Sequence, residues 1–312
     1  MRTSISLLFT LTLYFICFFS QAFADEQGVK KIFTLGVIST KPQKRIKETM
    51  PLVDYIVNTL PEYNEGKVLV SESVEDMSRL LNSGEVTMLV TTPYAALLIE
   101  RKTNAKIEAL RWKQGVESYH SVIFSRNDSN INEVKDLLGR TITFEKDSST
   151  SAFFAPAVYL LKQGFELQKM HSIKEKPAPD KIGYLFINDH LRQSNEVNMA
   201  IWVFHKRLDA ASFSNLDWQE PETTPTKAKE KLHIIAETAP LPRGVVLLSP
   251  SLKRHSKNRL LNILFDAEFN TEGQNVMATF QKTSRFSPVA EPLNKVLNQA
   301  RQYVYANPTL FK

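Results

Sequence analysis

The chain alternates short apolar runs with amphipathic stretches. Ile32 to Ile38 (IFTLGVI) is apolar and β-branched, which predicts a buried strand. Lys44 to Leu60 repeats apolar residues at helical spacing, with Ile46, Met50, Val53, Ile56, Val57 and Leu60 on one stripe. Lys67 to Val70 predicts a short strand, and Val74 to Leu81 a helix closed by Asn82-Ser83-Gly84. Val86 to Val90 is a strand again. Pro93 to Arg101 opens with proline in a first turn, where a missing N–H costs nothing, and predicts a helix. Strands alternating with helices imply a mostly parallel sheet with helices on its faces.

Two extended runs, IEALRW and YHSVIFS, then occupy Lys106 to Arg126 on either side of Gly115. After them the alternation restarts. Val134 to Gly139 is a short helix, Thr141 to Phe144 a strand, Ile182 to Ile187 a strand, Asp189 to Arg207 a helix and Ala210 to Phe213 a strand. Residues 219–231 are polar and contain prolines, so they predict a surface loop. His233 to Ala236 is extended. Pro240-Leu241-Pro242-Arg243-Gly244 punctuates the chain, the strand VVLLS follows, and helices near 256–269, 271–280 and 289–304 complete it. The fold class is α/β with two units. Residues 25–115 and 242–312 form a first lobe, and 116–241 form a second lobe inserted into it. Two extended crossings join them, which is hinge architecture with a ligand cleft between lobes.

Composition changes the picture at the N-terminus. Arg2, the apolar run Leu7 to Phe19 and Ala22-Phe23-Ala24 have the three parts of a secretory signal peptide over residues 1–24, cleaved before Asp25. The one cysteine, Cys17, lies inside it. The exported chain of 288 residues therefore lacks disulfides, zinc-thiolate sites and thiol nucleophiles. The formal charge is +6, or +5 without Arg2, and it is spread along the chain. That favours anions mildly and is no nucleic-acid footprint. The sequence contains no G-x-S-x-G elbow, H-E-x-x-H pair, phosphate-binding G-x-x-x-x-G-K-[ST] loop or dinucleotide fingerprint. No cofactor and no metal site are expected.

Candidate chemistry centres on Asp147-Ser148-Ser149-Thr150-Ser151. Small hydroxyls before an apolar helical pattern have two readings. They cap the helix, as Ser and Thr commonly do. They also suit an anion, because the first N–H groups of a helix lack partners and carry partial positive charge. Pro156 bears on both, since it has no N–H for the carbonyl of Ala152 and so loosens the first turn. Tyr94, near its helix start, offers a phenol to an anion oxygen or is a packed aromatic. Ser39 and Thr40 follow the first strand, at the carboxyl end where open α/β sheets bind ligands; otherwise they are caps. Tyr119 and His120 lie on the crossing strand, His120 with a structural hydrogen-bonding role as its alternative.

Several stretches occur in an order that resembles the phosphonate/phosphite/phosphate-type periplasmic substrate-binding proteins of ABC transporters. They are Leu35-Gly36-Val37-Ile38-Ser39-Thr40, Thr92-Pro93-Tyr94-Ala95-Ala96, Tyr119-His120-Ser121-Val122-Ile123, Asp128-Ser129 with Asp136-Leu137-Leu138-Gly139-Arg140, Ser149-Thr150-Ser151 with Pro156, and Leu208-Asp209-Ala210-Ala211. The resemblance implies a two-lobed, type II-like periplasmic-binding-protein fold, each lobe a mixed, mostly parallel sheet flanked by helices. It implies capture of a small phosphorus oxyanion (phosphonate, phosphite or phosphate ester) and delivery to a membrane ABC permease, by a periplasmic monomer without catalysis. It also places His190 as a cleft histidine and Asp209 as an acid suited to a ligand amine. Ala152 stands where the family often has glycine. Two other readings remain: a soluble sensor reporting to a membrane signalling protein, and an exported hydrolase using Ser149 or Ser151 with His190 and Asp209.

Overall fold

The computed structural model describes residues 31–191 and 196–312. The expected signal peptide lies outside them, as does part of the helix expected over Asp189 to Arg207.

The first unit runs β1 (Ile32–Ile38), α1 (Pro42–Thr59), β2 (Glu65–Ser71), α2 (Val74–Ser83), β3 (Met88–Thr91), α3 (Pro93–Lys102) and β4 (Ile107–Lys113). Ser73 caps α2 by accepting from the N–H of Asp76 at 3.2 Å, and Gly84 ends it at φ 87°, a left-handed conformation that a side chain would strain. The chain then crosses through β5 (Ser118–Tyr119). The second unit holds β6 (Ser121–Arg126), β7 (Thr141–Phe144), a π-helical turn (Thr150–Phe154), α4 (Ala155–Lys162), β8 (Glu166–Lys169), β9 (Lys181–Phe186), α5 (Glu196–Phe204), β10 (Ala210–Ser214), α6 (Asn215–Gln219), α7 (Thr226–Lys229) and β11 (Leu232–Glu237). The return crossing, β12 (Leu241–Pro242), pairs antiparallel with β5. The chain finishes with β13 (Val245–Leu248), α8 (Arg254–Asp266), α9 (Thr271–Thr279), β14 (Thr283–Pro288) and α10 (Leu293–Ala306).

These strands build two six-stranded sheets, ordered β14-β4-β13-β3-β1-β2 and β11-β6-β10-β7-β9-β8. Both are mixed. All but three of their strands run toward one edge; β13 and β14 oppose their neighbours in the first sheet, and β6 does so in the second. The reason for β6 and β13 is the crossing itself. Each is entered directly from the connection between the sheets, so each starts at the edge where the others end. Helices cover both faces. One core lies between the first sheet and α1, α8 and α9, and another between the second sheet and α5 and α6. A third is shared by α2, α3, α4, α10 and residues of both sheets.

The structure departs from the sequence reading in places. β8 and β14 were not expected; both are edge strands with polar sequences, ELQK and TSRFSP, which carry little hydrophobic signal. The loop expected over 219–231 contains the short helix α7. Ile46 is 43% exposed, because the buried face of α1 begins only at Thr49.

Candidate anion site between the two sheets

In open α/β sheets, ligands bind beyond the carboxyl ends of the strands. In the first sheet that edge carries Ser39 after β1, Thr92 after β3 and Arg111 near the end of β4. Gly244 stands opposite Arg111, since Val245 pairs with both Thr91 and Leu110. In the second sheet it carries the hydroxyl run after β7, His190 after β9 and the end of β10 at Ser214, which pairs with Ser121 at the start of β6. The short β5–β12 ladder joins the two edges.

The hydroxyl run is built by Pro156. The carbonyl of Ala152, denied its helical donor, accepts from the N–H of Glu145 at 3.1 Å. The turn widens so that Phe154 donates to the carbonyl of Ser149 and Ala155 to that of Thr150, each five residues back. Ser149 caps this start, its Oγ accepting from Ala152 N–H at 3.2 Å. Thr150 and Ser151, in the first turn, keep N–H groups without intrahelical partners. The Oγ1 of Thr150 accepts from the backbone N–H of Tyr94, 3.2 Å away, in the first turn of α3. Two helix starts therefore meet at Thr150, each with a positive end. Ser148 is exposed, Ser149 and Ser151 are half-buried, and Thr150 is buried.

Tyr119 is buried, with its hydroxyl facing Ser151 and Thr150. Burial raises its hydroxyl above the ordinary tyrosine value, and the adjacent Arg243 works against that rise. The Arg243 guanidinium lies over the Tyr119 ring, 4.8 Å from the centroid. Behind it, Arg111 is 7% exposed. Burial, then Arg243 and Arg45, pull Arg111 down to about 10. Lys113 falls to about 8 through burial and the charges of Arg243, Arg111, Arg45 and Lys282. The Nε atoms of Arg111 and Arg243 are buried without a hydrogen-bond partner among the described residues.

The other expected site residues fall into three groups. Ser39 and Thr40 sit at the site edge, where the Ser39 Oγ accepts from Lys41 N–H at 3.1 Å and Thr40 is exposed. His190 is half-buried at the matching edge of the second sheet, and the Nε2 of His120 lies 3.5 Å from a Glu237 carboxylate oxygen. Two expectations are corrected. The phenol of Tyr94 does not line the site: its ring is fully buried, stacked on Phe154 at 4.5 Å and edge-on to Phe153 and Phe311. It is the backbone of Tyr94 that reaches Thr150. Asp209 stands at the opposite end of the sheet, before β10, where its Oδ2 accepts from the N–H and hydroxyl of Thr141, both at 2.9 Å. Arg140 lies 3.8 Å from its other oxygen. Strand β7 separates Thr141 from the hydroxyl run, so Asp209 cannot complete a triad with Ser149 or Ser151. The Ala152 methyl packs with the core that includes Val122, Leu185 and Ile187.

Sequence reasoning missed Arg111, Lys113 and Arg243. A usable signal existed: an arginine inside the apolar strand IEALRW, and another between Pro242 and Gly244 at the return crossing. It also missed an acidic group at the second sheet's edge. Burial, then Glu145 and Asp217, push the Glu196 carboxyl up to about 7.

Fold and site together define a two-lobed α/β binding protein with an electropositive centre between its sheets. Residues 35–292 match the family model of the ABC transporter phosphonate periplasmic substrate-binding protein, and the chain belongs to that family. Among solved structures it is similar to XAC2383 from Xanthomonas citri bound to ATP, at 26% identity and a TM-score of 0.80, covering 90% of this chain and 99% of that one. The same protein bound to chloride ion aligns at 27% identity and a TM-score of 0.79, covering 89% and 99%. PhnD1 from Prochlorococcus marinus in complex with methylphosphonate shares the fold at 14% identity and a TM-score of 0.58, covering 88% and 98%. The family is periplasmic and supplies the substrate-binding component of ABC transporters.

Proposed function

We propose that the protein captures a small phosphorus oxyanion between its sheets and delivers it to a membrane permease, without a chemical step. One observation carries the reading: two helix starts meet at Thr150 beside Tyr119 and Arg243, and no carboxylate pairs with Arg243 or Arg111 among the described residues. An anion placed there gains from both helix ends and from charge-assisted bonds to hydroxyls and guanidinium groups. The ATP bound by XAC2383 and the methylphosphonate bound by PhnD1 support phosphorus oxyanions as the ligand class.

In this reading residues 1–24 direct export and are cleaved. The lobes 25–115 with 242–312 and 116–241 close on the ligand, and the protein acts as a monomer. Ser39, Thr40, Ser148, Ser149, Thr150, Ser151, Tyr119, His120 and His190 surround the anion together with Arg243 and Arg111, whereas Asp209 and the phenol of Tyr94 do not take part. A thermal-shift panel of phosphate, phosphite, alkylphosphonates, sulfate and carboxylates tests it. Ligand at one hundred times its dissociation constant adds about 2.7 kcal/mol. Selective stabilisation by phosphorus oxyanions is expected; stabilisation by carboxylates alone contradicts it.

A further inference from the structure

We propose that Arg111 and Arg243 form a second anion subsite beside Thr150 and Ser151, so that the ligand carries two linked phosphoryl groups, as in a diphosphate or longer polyphosphate. This rests on the anion-binding reading above and narrows it.

The cations at this site outnumber the carboxylates that could neutralise them. Arg45 is matched by Glu48, 2.6 Å away. Arg111, Lys113, Arg243 and Lys282 form no ion pair among the described residues, and no carboxylate is among the groups that shift Arg111 or Lys113. Arg111 is the buried member of this group, and a buried charge without a partner is expensive. Ring contacts offset part of that cost, with Arg243 over Tyr119 and Arg111 5.8 Å from the Phe280 centroid. The Nε–H groups of both arginines have no hydrogen-bond partner among the described residues. A guanidinium offers five donors in a fork that matches phosphate oxygens.

The backbone makes room for this arrangement. A Cβ at Gly244 would come within 2.8 Å of the Arg111 Nε and 3.3 Å of its Cζ and Nη2. Glycine there lets the guanidinium lie flat against the return crossing, and the N–H of Arg111 donates to the Gly244 carbonyl at 2.9 Å. Next to it, Arg243 is fixed by its own N–H to the Glu117 carbonyl, 2.8 Å away. Both arginines are held by their main chains while their Nε–H groups find no partner among the described residues.

The donors come from two different parts of the fold. The helix starts at Thr150 can engage one phosphoryl group through N–H and hydroxyl donors. Arg111 lies near the end of β4 in the first sheet and Arg243 follows the return crossing with its guanidinium over the Tyr119 ring, whereas Thr150 follows β7 of the second sheet. One phosphoryl group neutralises part of this cationic cluster, and a second, linked to it, adds the charge and acceptor oxygens that the unpaired guanidinium groups can take.

Isothermal titration at fixed ionic strength tests this, comparing methylphosphonate, phosphate, pyrophosphate and tripolyphosphate on the wild type and on Arg243→Gln, Lys113→Gln and Thr150→Val. Far-UV circular dichroism checks that each variant is folded. Pyrophosphate is expected to bind at least about tenfold more tightly than methylphosphonate. Arg243→Gln and Lys113→Gln should weaken pyrophosphate by a larger factor than methylphosphonate, whereas Thr150→Val should weaken both alike. Equal affinity for one and two phosphoryl groups, or equal losses in Arg243→Gln, overturns the subsite while leaving the phosphorus-oxyanion reading standing. Absence of binding by all four ligands overturns both.

Discussion

The backbone N–H of Tyr94 donates to the side-chain oxygen of Thr150, residues 56 positions apart and attached to different sheets. This bond ties the start of α3 to the start of the helix after β7. It also makes Thr150 the point where both positive helix ends can act on one ligand. Thr150→Val keeps the shape and removes the acceptor. A buried N–H left unpaired costs about 1–3 kcal/mol. The variant should lose about that much stability in urea unfolding, together with anion affinity. Unchanged affinity would remove Thr150 from the site.

Beneath this bond, Tyr94 stacks on Phe154, and Phe311 packs edge-on against both rings. Phe311 is fully buried. Phe311→Ala should destabilise the protein by about 3–5 kcal/mol. A drop of less than about 1 kcal/mol in chemical denaturation would show that Phe311 is not part of the shared core.

Lys113 gives anion binding a pH dependence with a defined sign. Its amine is lowered from 10.5 to about 8 by burial and by Arg243, Arg111, Arg45 and Lys282. The folded, ligand-free protein loses this proton at about pH 8 while the unfolded chain keeps it up to 10.5, so stability rises with pH between those values. A bound anion favours the ammonium. Binding should take up a proton above about pH 8, and affinity should fall as pH rises further. Titrations in buffers of different ionisation enthalpy measure this uptake, and Lys113→Arg should remove it.

Glu196 acts in the opposite direction on stability. Its carboxyl rises from 4.5 to about 7 because it is buried near Glu145 and Asp217. The folded state then holds a proton that the unfolded state releases, so its contribution is complete below about pH 4.5 and declines as pH climbs to 7. Glu196→Gln should flatten that part of the stability profile, read from melting temperatures across the range.

Asp209 provides a contrasting case. Asp209→Ala removes both acceptor contacts to Thr141 and should cost about 1–3 kcal/mol of stability. Affinity for anions should stay within experimental error. A large loss of affinity in a folded variant would contradict its placement at the far end of β10.

Much of the fold was legible because interior strands such as IFTLGVI and VVLL are uniformly apolar and helix ends such as Asn82-Ser83-Gly84 carry strong signals. The edge strands β8 and β14 were not, because an edge position makes fewer demands on side chains. At the site, the loosened turn at Pro156 followed from proline chemistry alone and appears as a π-helical turn. The direction of a side chain did not follow. Tyr94 begins a helix as expected, yet its ring turns into the shared core. Asp209 sits near a strand, but which end of the sheet it occupies depends on strand direction. Arg111 and Arg243 are far apart in sequence and meet only through the pairing of β13 with β4.

The central claim, that a phosphorus oxyanion binds where Thr150, Ser151, Tyr119 and Arg243 converge, is tested most directly by isothermal titration of methylphosphonate and pyrophosphate into the wild type and a Thr150→Val, Ser151→Ala double variant. The account predicts saturable binding by the wild type, weakened at least about a hundredfold in the folded double variant, since each lost charge-assisted bond contributes about 1.5–3 kcal/mol. Equal binding by the two proteins would contradict it.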